Sequence, residues 1–259
     1  MVRLRDTGHG YDWLAAPGGH AAAVVARPGY ALQRVRLASP VAHDLAFELI
    51  MQHLRGLRLP TAALCGMELR TPEQATGIAG DGYWDRYRNA LEQLGIAVRG
   101  TASPVARSTL CPLVDPPHDV SVHAFSYAAP AVEYRPGGLA PLDRTFVVSA
   151  VAEAPDRRPD RITDIVARGD LSSDGLGRKL GWVVSELGSR LQAVKSGWAD
   201  VTDAQLYSAR DIGSLVADTV HPVAGSVTWH QCQPPMIDLE VEMDCRRVAN
   251  ELVLDPAVS

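Results

Sequence analysis

Residues 105–127, VARSTLCPLVDPPHDVSVHAFSY, decide how this chain is folded. Arg107 and Thr109 before the Asp115-Pro116-Pro117-His118 turn, and Val120, Val122 and Ala124 after it, fall on alternating positions of two short extended runs. Alternation with a period of two marks a strand, and a proline-containing connection joins two such runs as a hairpin or a close return. Two strands are therefore expected, the first carrying an arginine. Working outward, the same layout recurs at residues 226–246, SVTWHQCQPPMIDLEVEMDCR: an extended run, a Pro234-Pro235 turn and an alternating strand. The chain reads as one pattern written twice.

The composition accommodates that reading. A chain of 259 residues holds two domains of about 130 residues as readily as one large one, and either buries a real core. An apolar share of 46% with 21% charged residues is ordinary for a globular protein. The net charge of −5 advertises no basic surface, so nucleic acid is set aside as a partner. No apolar run approaches the roughly 18 residues that span a bilayer, and MVRLRDTGHGYDW lacks the apolar core of a secretion signal. A soluble, cytoplasmic protein with no membrane partner is expected. Cys65, Cys111, Cys232 and Cys245 lie far apart with no C-x-x-C pair, which suggests reduced thiols rather than a zinc ribbon or a disulfide framework.

Residues 1–20 are polar and glycine-rich, and are expected to form a leader over the surface. Extended runs follow at 21–26 and 30–38. Ser39-Pro40 reads as an N-cap with proline at the first helical position, and Leu45, Phe47, Leu49, Ile50 and Leu54 give a helix over about 41–55. A strand at 62–69, a loop at 71–82 and a helix through Tyr83, Tyr87, Ala90, Leu91 and Leu94, stopped at Gly95, lead into the arginine-bearing strands. After Pro136-Gly137-Gly138 the pattern restarts with a strand at 145–151 and an extended run at 161–167. Leu180, Val183, Val184, Leu187, Leu191 and Val194 then form one helical stripe, before a strand at 201–209, a short helix at 211–220 and the last two strands. Setting LCGMELR at 64–70 against AQLYSAR at 204–210 gives an offset of 210 − 70 = 140. Low identity with matching element order is how old duplications look. The expected organisation is a leader at 1–20, a first domain at 21–135 and a second at 136–259. The expected fold class is α+β, each domain a mixed β-sheet with two helices on one face.

On particular residues the chain resembles the reactive-intermediate deaminase family (RidA, also called YjgF). Ala106-Arg107-Ser108-Thr109-Leu110-Cys111 looks like that family's arginine motif, and Leu239-Glu240-Val241-Glu242 looks like its glutamate-bearing last strand. LQAVKSGWADVTDAQLYSARD at 191–211 looks like its helix, turn and strand. The resemblance covers most of 30–250 and implies two tandem RidA-like domains, no cofactor and a homotrimer. It also implies an arginine that binds the substrate carboxylate, for which a fork of donors is suited, and a glutamate associated with the water that hydrolyses an enamine or imine. Here the two have parted: Arg107 stands in the first half with His123 at the glutamate position. Glu240 stands in the second half, with no arginine near Gly225 or Ser226. A site of Arg107 with His123 and another around Glu240, or one shared by Arg107 and Glu240, all fit the spacing.

The candidate catalytic residues are thus His123 and Glu240, and the candidate substrate-binding residues are Arg107 and Cys111. Each has a structural alternative. Arg107 can be a surface ion pair, His123 a satisfied structural histidine, and Glu240 with Glu242 a wet strand edge. Cys111, four positions after Arg107 and so on its face, can be an inert buried thiol. Trp229-His230-Gln231-Cys232 offers two neighbouring ligands where zinc takes three or four from protein, so no metal is expected. The expected activity is cofactor-independent hydrolytic deamination, or related lyase chemistry, on a small carboxylate-bearing enamine, imine or related metabolite. Chorismatase-like removal of an enolpyruvyl group and a non-catalytic small-molecule-binding or assembly role are the alternatives.

Overall fold

The computed structural model describes residues 3–74, 83–131, 142–155 and 164–256. In chain order come strands β1 (Arg5–Asp6), β2 (Tyr11–Ala15), β3 (Ala21–Ala26) and β4 (Tyr30–Ala42), helix α1 (His43–Gly56), β5 (Leu64–Arg70), α2 (Tyr83–Gln93), β6 (Ala106–Pro112) and β7 (Ser121–Pro130). They continue as β8 (Phe146–Ala152), α3 (Ser173–Ala193), β9 (Asp203–Tyr207), α4 (Gly213–Thr219), β10 (Val227–His230), β11 (Cys232–Gln233), β12 (Glu242–Arg247) and β13 (Asn250–Leu254). Among the described residues the strands make one mixed sheet with the order β10-β9-β12-β8-β3-β6-β5-β7-β4-β13. No helix among them is long and apolar enough to cross a membrane.

Two four-stranded blocks of this sheet share one plan. In β6-β5-β7-β4 the first pair is parallel and the next two are antiparallel. In β10-β9-β12-β8 the same three relations recur in the same order. Strand β3 joins the blocks, antiparallel to β8 and parallel to β6.

Each block buries one face under its own helices. The stripe read in α3 is buried at Leu180, Val183, Leu187 and Leu191, and packs with Val216 of α4 on Val148, Leu206, Met243 and Cys245. Ser172 caps that helix, its Oγ accepting from the Gly175 N–H. In the other block, Phe47, Ile50 and Leu54 of α1 and Tyr87 and Leu91 of α2 cover Val35, Met67, Leu69, Val122 and Phe125. Full burial of each such side chain contributes about 1.5–3 kcal/mol. Gly95 ends α2 at φ +69°, a conformation that suits glycine.

Four expectations need correction or completion. β6 and β7 are not a hairpin, because β5 lies between them, where Met67 and Leu69 complete the apolar layer beneath α1 and α2. Residues 1–20 are more than a surface leader: β2 pairs with β3, and Tyr11, Trp13 and Leu14 are buried. Ser39 and Pro40 belong to the bulged end of β4, and α1 starts at His43 behind Ala42 with no side-chain cap. Strand β13, pairing parallel with β4, was not expected at all. Residues 136–138 and 161–163 lie outside the described residues, and the rest of the expected extended run, 164–167, is a bend and a turn rather than a strand.

Candidate active site

A strand buried beneath helices on one face presents its alternate residues to the other. In β4 the apolar set is Val35 and Leu37, which turns Arg34 and Arg36 away from the helices. In β5 the set is Met67 and Leu69, which turns Glu68 and Arg70 the same way. In β12 the set is Met243 and Cys245, which turns Asp244 and Arg246 away, beside Gln205 and Tyr207 of β9. The helix-free faces of both blocks therefore carry charge.

These faces meet. Although β8, β3 and β6 separate β12 from β5, Arg246 Nη1 donates to Glu68 Oε1 at 3.0 Å, so the sheet is curled around its polar side. Arg34 grips the same carboxylate with two donors, Nε to Oε1 and Nη2 to Oε2, both at 2.7 Å. Its Nη1 reaches Glu251 of β13 at 2.6 Å. Arg246 Nη2 donates to Asp244 Oδ1 at 2.9 Å, and the Tyr207 hydroxyl donates to Asp244 Oδ2 at 2.6 Å. A cavity beside this network is lined by Glu68, Arg107, Ser108, Ser126, Asp244 and Arg246 among others.

Burial would raise the Glu68 carboxyl, but Arg246 and Arg34 outweigh it and hold it well below the usual carboxylate range. Burial likewise disfavours the Arg246 cation, yet Glu68 and Asp244 reverse the balance and raise it. Two imidazoles border the network. His123 is lowered to about 3, by burial first and then by the charge of Arg70. His230 is also lowered, by burial and then by Arg70. Both rings are neutral near pH 7.

The four residues singled out in the sequence are not gathered in one place. His123, at a bulge of β7, borders the network through Arg70, Glu68, Arg34 and Arg36. The Arg107 guanidinium lies on the helix side of β6, 4.0 Å from the centre of the Trp84 ring, and its backbone N–H donates to Ser149 Oγ at 2.9 Å. Cys111 is buried, and burial raises its thiol against the opposing effect of a hydrogen bond with Thr71. Glu240 stands just before β12, where Arg210 holds it with two bonds at 2.7 and 3.3 Å. Its backbone N–H donates at 2.6 Å to Glu153, the buried partner of Lys179 at 3.2 Å.

Arg34, Glu68, Arg70, Tyr207, Asp244 and Arg246 were missed. A signal was present: the strands LQRVRL, GMELR and EMDCR each place charged residues two apart between apolar ones, as a strand with one polar, enclosed face requires. His230 and Cys232, weighed only as metal ligands, also border this region, since both sense Arg70.

Comparison with known proteins adds the chemistry. The chain is 34% identical over 248 residues to the 2-amino-5-chloromuconate deaminase of Comamonas testosteroni, a match covering 95% of this chain and 96% of that protein. Among solved structures, a chorismatase shares the fold over 96% of this chain and 80% of its own length, with a TM-score of 0.51 and 17% identity. A YjgF/YER057c/UK114 family member from Mycobacterium tuberculosis covers 40% of this chain and 78% of its own, with a TM-score of 0.28 and 16% identity. The family description and the curated relative both name deaminases, so the protein is an enzyme of that kind. Residues 4–252, a span that takes in both blocks of the sheet and the charged face between them, place this chain in the 2-aminomuconate deaminase CnbZ family.

Proposed function

We propose that the protein is a hydrolytic deaminase of a small carboxylate-bearing enamine of the 2-aminomuconate type, working without a cofactor. The observation that carries this reading is the pair of neutral imidazoles, His123 and His230, set against a buried ion network where the two blocks meet. An enamine loses its nitrogen in three steps. A proton goes to carbon, giving an iminium. Water adds to the C=N carbon and gives a proton to a base. The C–N bond then breaks as nitrogen takes that proton and leaves as ammonia, while the new hydroxyl gives up its own proton, which replaces the one spent on carbon, and a carbonyl remains. A neutral imidazole can accept the proton of water and return it to the departing nitrogen, help typically worth about 10²–10⁴ in rate. His123 is assigned that role, being the expected residue that borders the network.

The test is direct. Purified protein incubated with 2-aminomuconate should release ammonia as the diene absorbance falls. Pyruvate release from chorismate, with no ammonia from 2-aminomuconate, would overturn the reading in favour of enolpyruvyl removal.

The same reading takes the chain as two tandem RidA-like domains, 21–135 and 136–259, assembled as a cytoplasmic homotrimer. The repeated pairing plan of the two blocks supports the duplication. Four free cysteines suit a reducing compartment. The sheet path ends at β10 and β13, and β13 exposes Leu252, Val253 and Leu254, an edge of the kind that assembly covers. A monomer mass by light scattering at micromolar concentration would overturn the trimer.

A further inference from the structure

We infer that Arg70, the last residue of β5, is the group that binds the substrate's carboxylate. The inference rests on the deaminase reading and gives its site an anchor. Arg70 is only 6% exposed. Its one hydrogen bond among the described residues runs from Nη1 to the carbonyl of its own neighbour Leu69, at 3.0 Å. A guanidinium has five N–H donors, so most of its capacity is unspent. Three nearby acids spend their hydrogen bonds elsewhere, Glu68 on Arg34 and Arg246, Asp244 on Arg246 and Tyr207, Glu251 on Arg34, so that Glu68 meets Arg70 by charge alone.

A buried guanidinium whose donors meet no carboxylate is costly, and side chains of this type are seldom enclosed without one. Arg70 stands where an anion would be useful. It lies opposite Leu110 in the β5–β6 register, and Leu110 packs on Tyr207 of the other block and on Cys232 of β11, which pairs with β6. Its charge acts on both His123 and His230. A carboxylate on its donor fork would be held bidentately at the junction of the blocks, within the electrostatic reach of both imidazoles. His123 is depressed by burial first, and the bound anion would offset the further share that comes from Arg70. Of the charged groups around that ring, Arg70, Arg34 and Arg36 depress its basicity and Glu68 opposes them. Substrate binding thus makes the imidazole a better base when it is needed. Arg107, stacked on Trp84, faces the helices instead.

The test compares Arg70→Met and Arg70→Lys with the unmodified protein. Affinity for cis,cis-muconate, an unreactive dicarboxylate, is measured by calorimetry, alongside melting temperature with and without it and KM for 2-aminomuconate. Both variants should lose about ten- to hundredfold in affinity, the loss of a charge-assisted contact, with the kinetic defect falling mainly on KM. Without ligand, Arg70→Met should melt at or above the normal temperature, because a buried cation with no hydrogen-bonded anion has gone. In nuclear magnetic resonance titrations, muconate should move the His123 imidazole to higher pKa in the unmodified protein and leave it unmoved in Arg70→Met. Normal muconate affinity in either folded variant would overturn the anchor. So would failure of the unmodified protein to bind muconate while it deaminates 2-aminomuconate. Arg70-dependent binding of muconate without ammonia release would keep the anchor and sink the deaminase reading. If Arg70→Met fails to fold, Arg70→Lys decides.

Discussion

Replacing Glu68 by glutamine should unlock the two blocks of the sheet from each other. Glu68 accepts two bonds from Arg34 at 2.7 Å and one from Arg246 at 3.0 Å, and Arg246 belongs to the other block. Glutamine keeps one acceptor but turns an N–H toward the donors of Arg34, and it removes the charge that two enclosed guanidiniums share. Breaking a buried pair in this way costs about 3–5 kcal/mol. The lower end applies, because Arg34 keeps Glu251 and Arg246 keeps Asp244. At about 2–4 °C per kcal/mol for a chain of this size, melting should fall by roughly 6–12 °C. The pH dependence has a definite sign. Folding depresses the Glu68 carboxyl below its ordinary 4.5, so its contribution is present above about that pH and is lost as pH falls toward the folded value. Melting curves from pH 7 down to 4 should show a constant gap between the two proteins at higher pH, narrowing below about 4.5. A Glu68→Gln protein within about 1 kcal/mol of the unmodified one at pH 7 would refute the claim that this carboxylate joins the blocks.

Three further outcomes are expected. Arg107→Ala should lose the stacking on Trp84, worth about 0.5–1 kcal/mol in a melt, with KM for 2-aminomuconate little changed; a tenfold rise in KM would return the carboxylate anchor to Arg107. Cys111→Ala should keep most turnover, since burial raises that thiol and keeps it protonated; rapid inactivation by a thiol reagent that Cys111→Ala abolishes would contradict this. His123→Gln should lower kcat by about 10²–10⁴ and also soften the acid limb of stability. Because folding lowers that imidazole from 6.5 to about 3, its contribution is complete above 6.5 and is lost as pH falls toward 3, a slope that urea midpoints across this range would detect.

Much of the fold was legible because local patterns agreed with the tertiary structure. The stripe from Leu180 to Val194 lies under the sheet as a helix, and the alternation through Val122 to Ala124 is a strand. The partner of each strand was less legible. Nothing local in residues 105–127 reveals that β5, some forty residues earlier, slips between β6 and β7, since such a crossover depends on packing at a distance. Nor does an exposed strand such as β13, which buries little, leave a hydrophobic period to read. At the site, His123 was found from a resemblance, whereas Arg70 and Glu68 were overlooked inside LCGMELR. Charge on alternate positions of a strand ordinarily faces water, and only the curling of the sheet makes it face another strand.

The most direct test of hydrolytic deamination at this site uses protein treated with a chelator and desalted, supplied with 2-aminomuconate, with ammonia measured by a coupled enzyme assay as the diene absorbance is lost. One ammonia should appear for each substrate consumed, well above the uncatalysed rate, and His123→Gln should slow both signals together. Substrate loss without ammonia, or ammonia that returns only when the removed small molecules are restored, would contradict a cofactor-free hydrolytic deaminase.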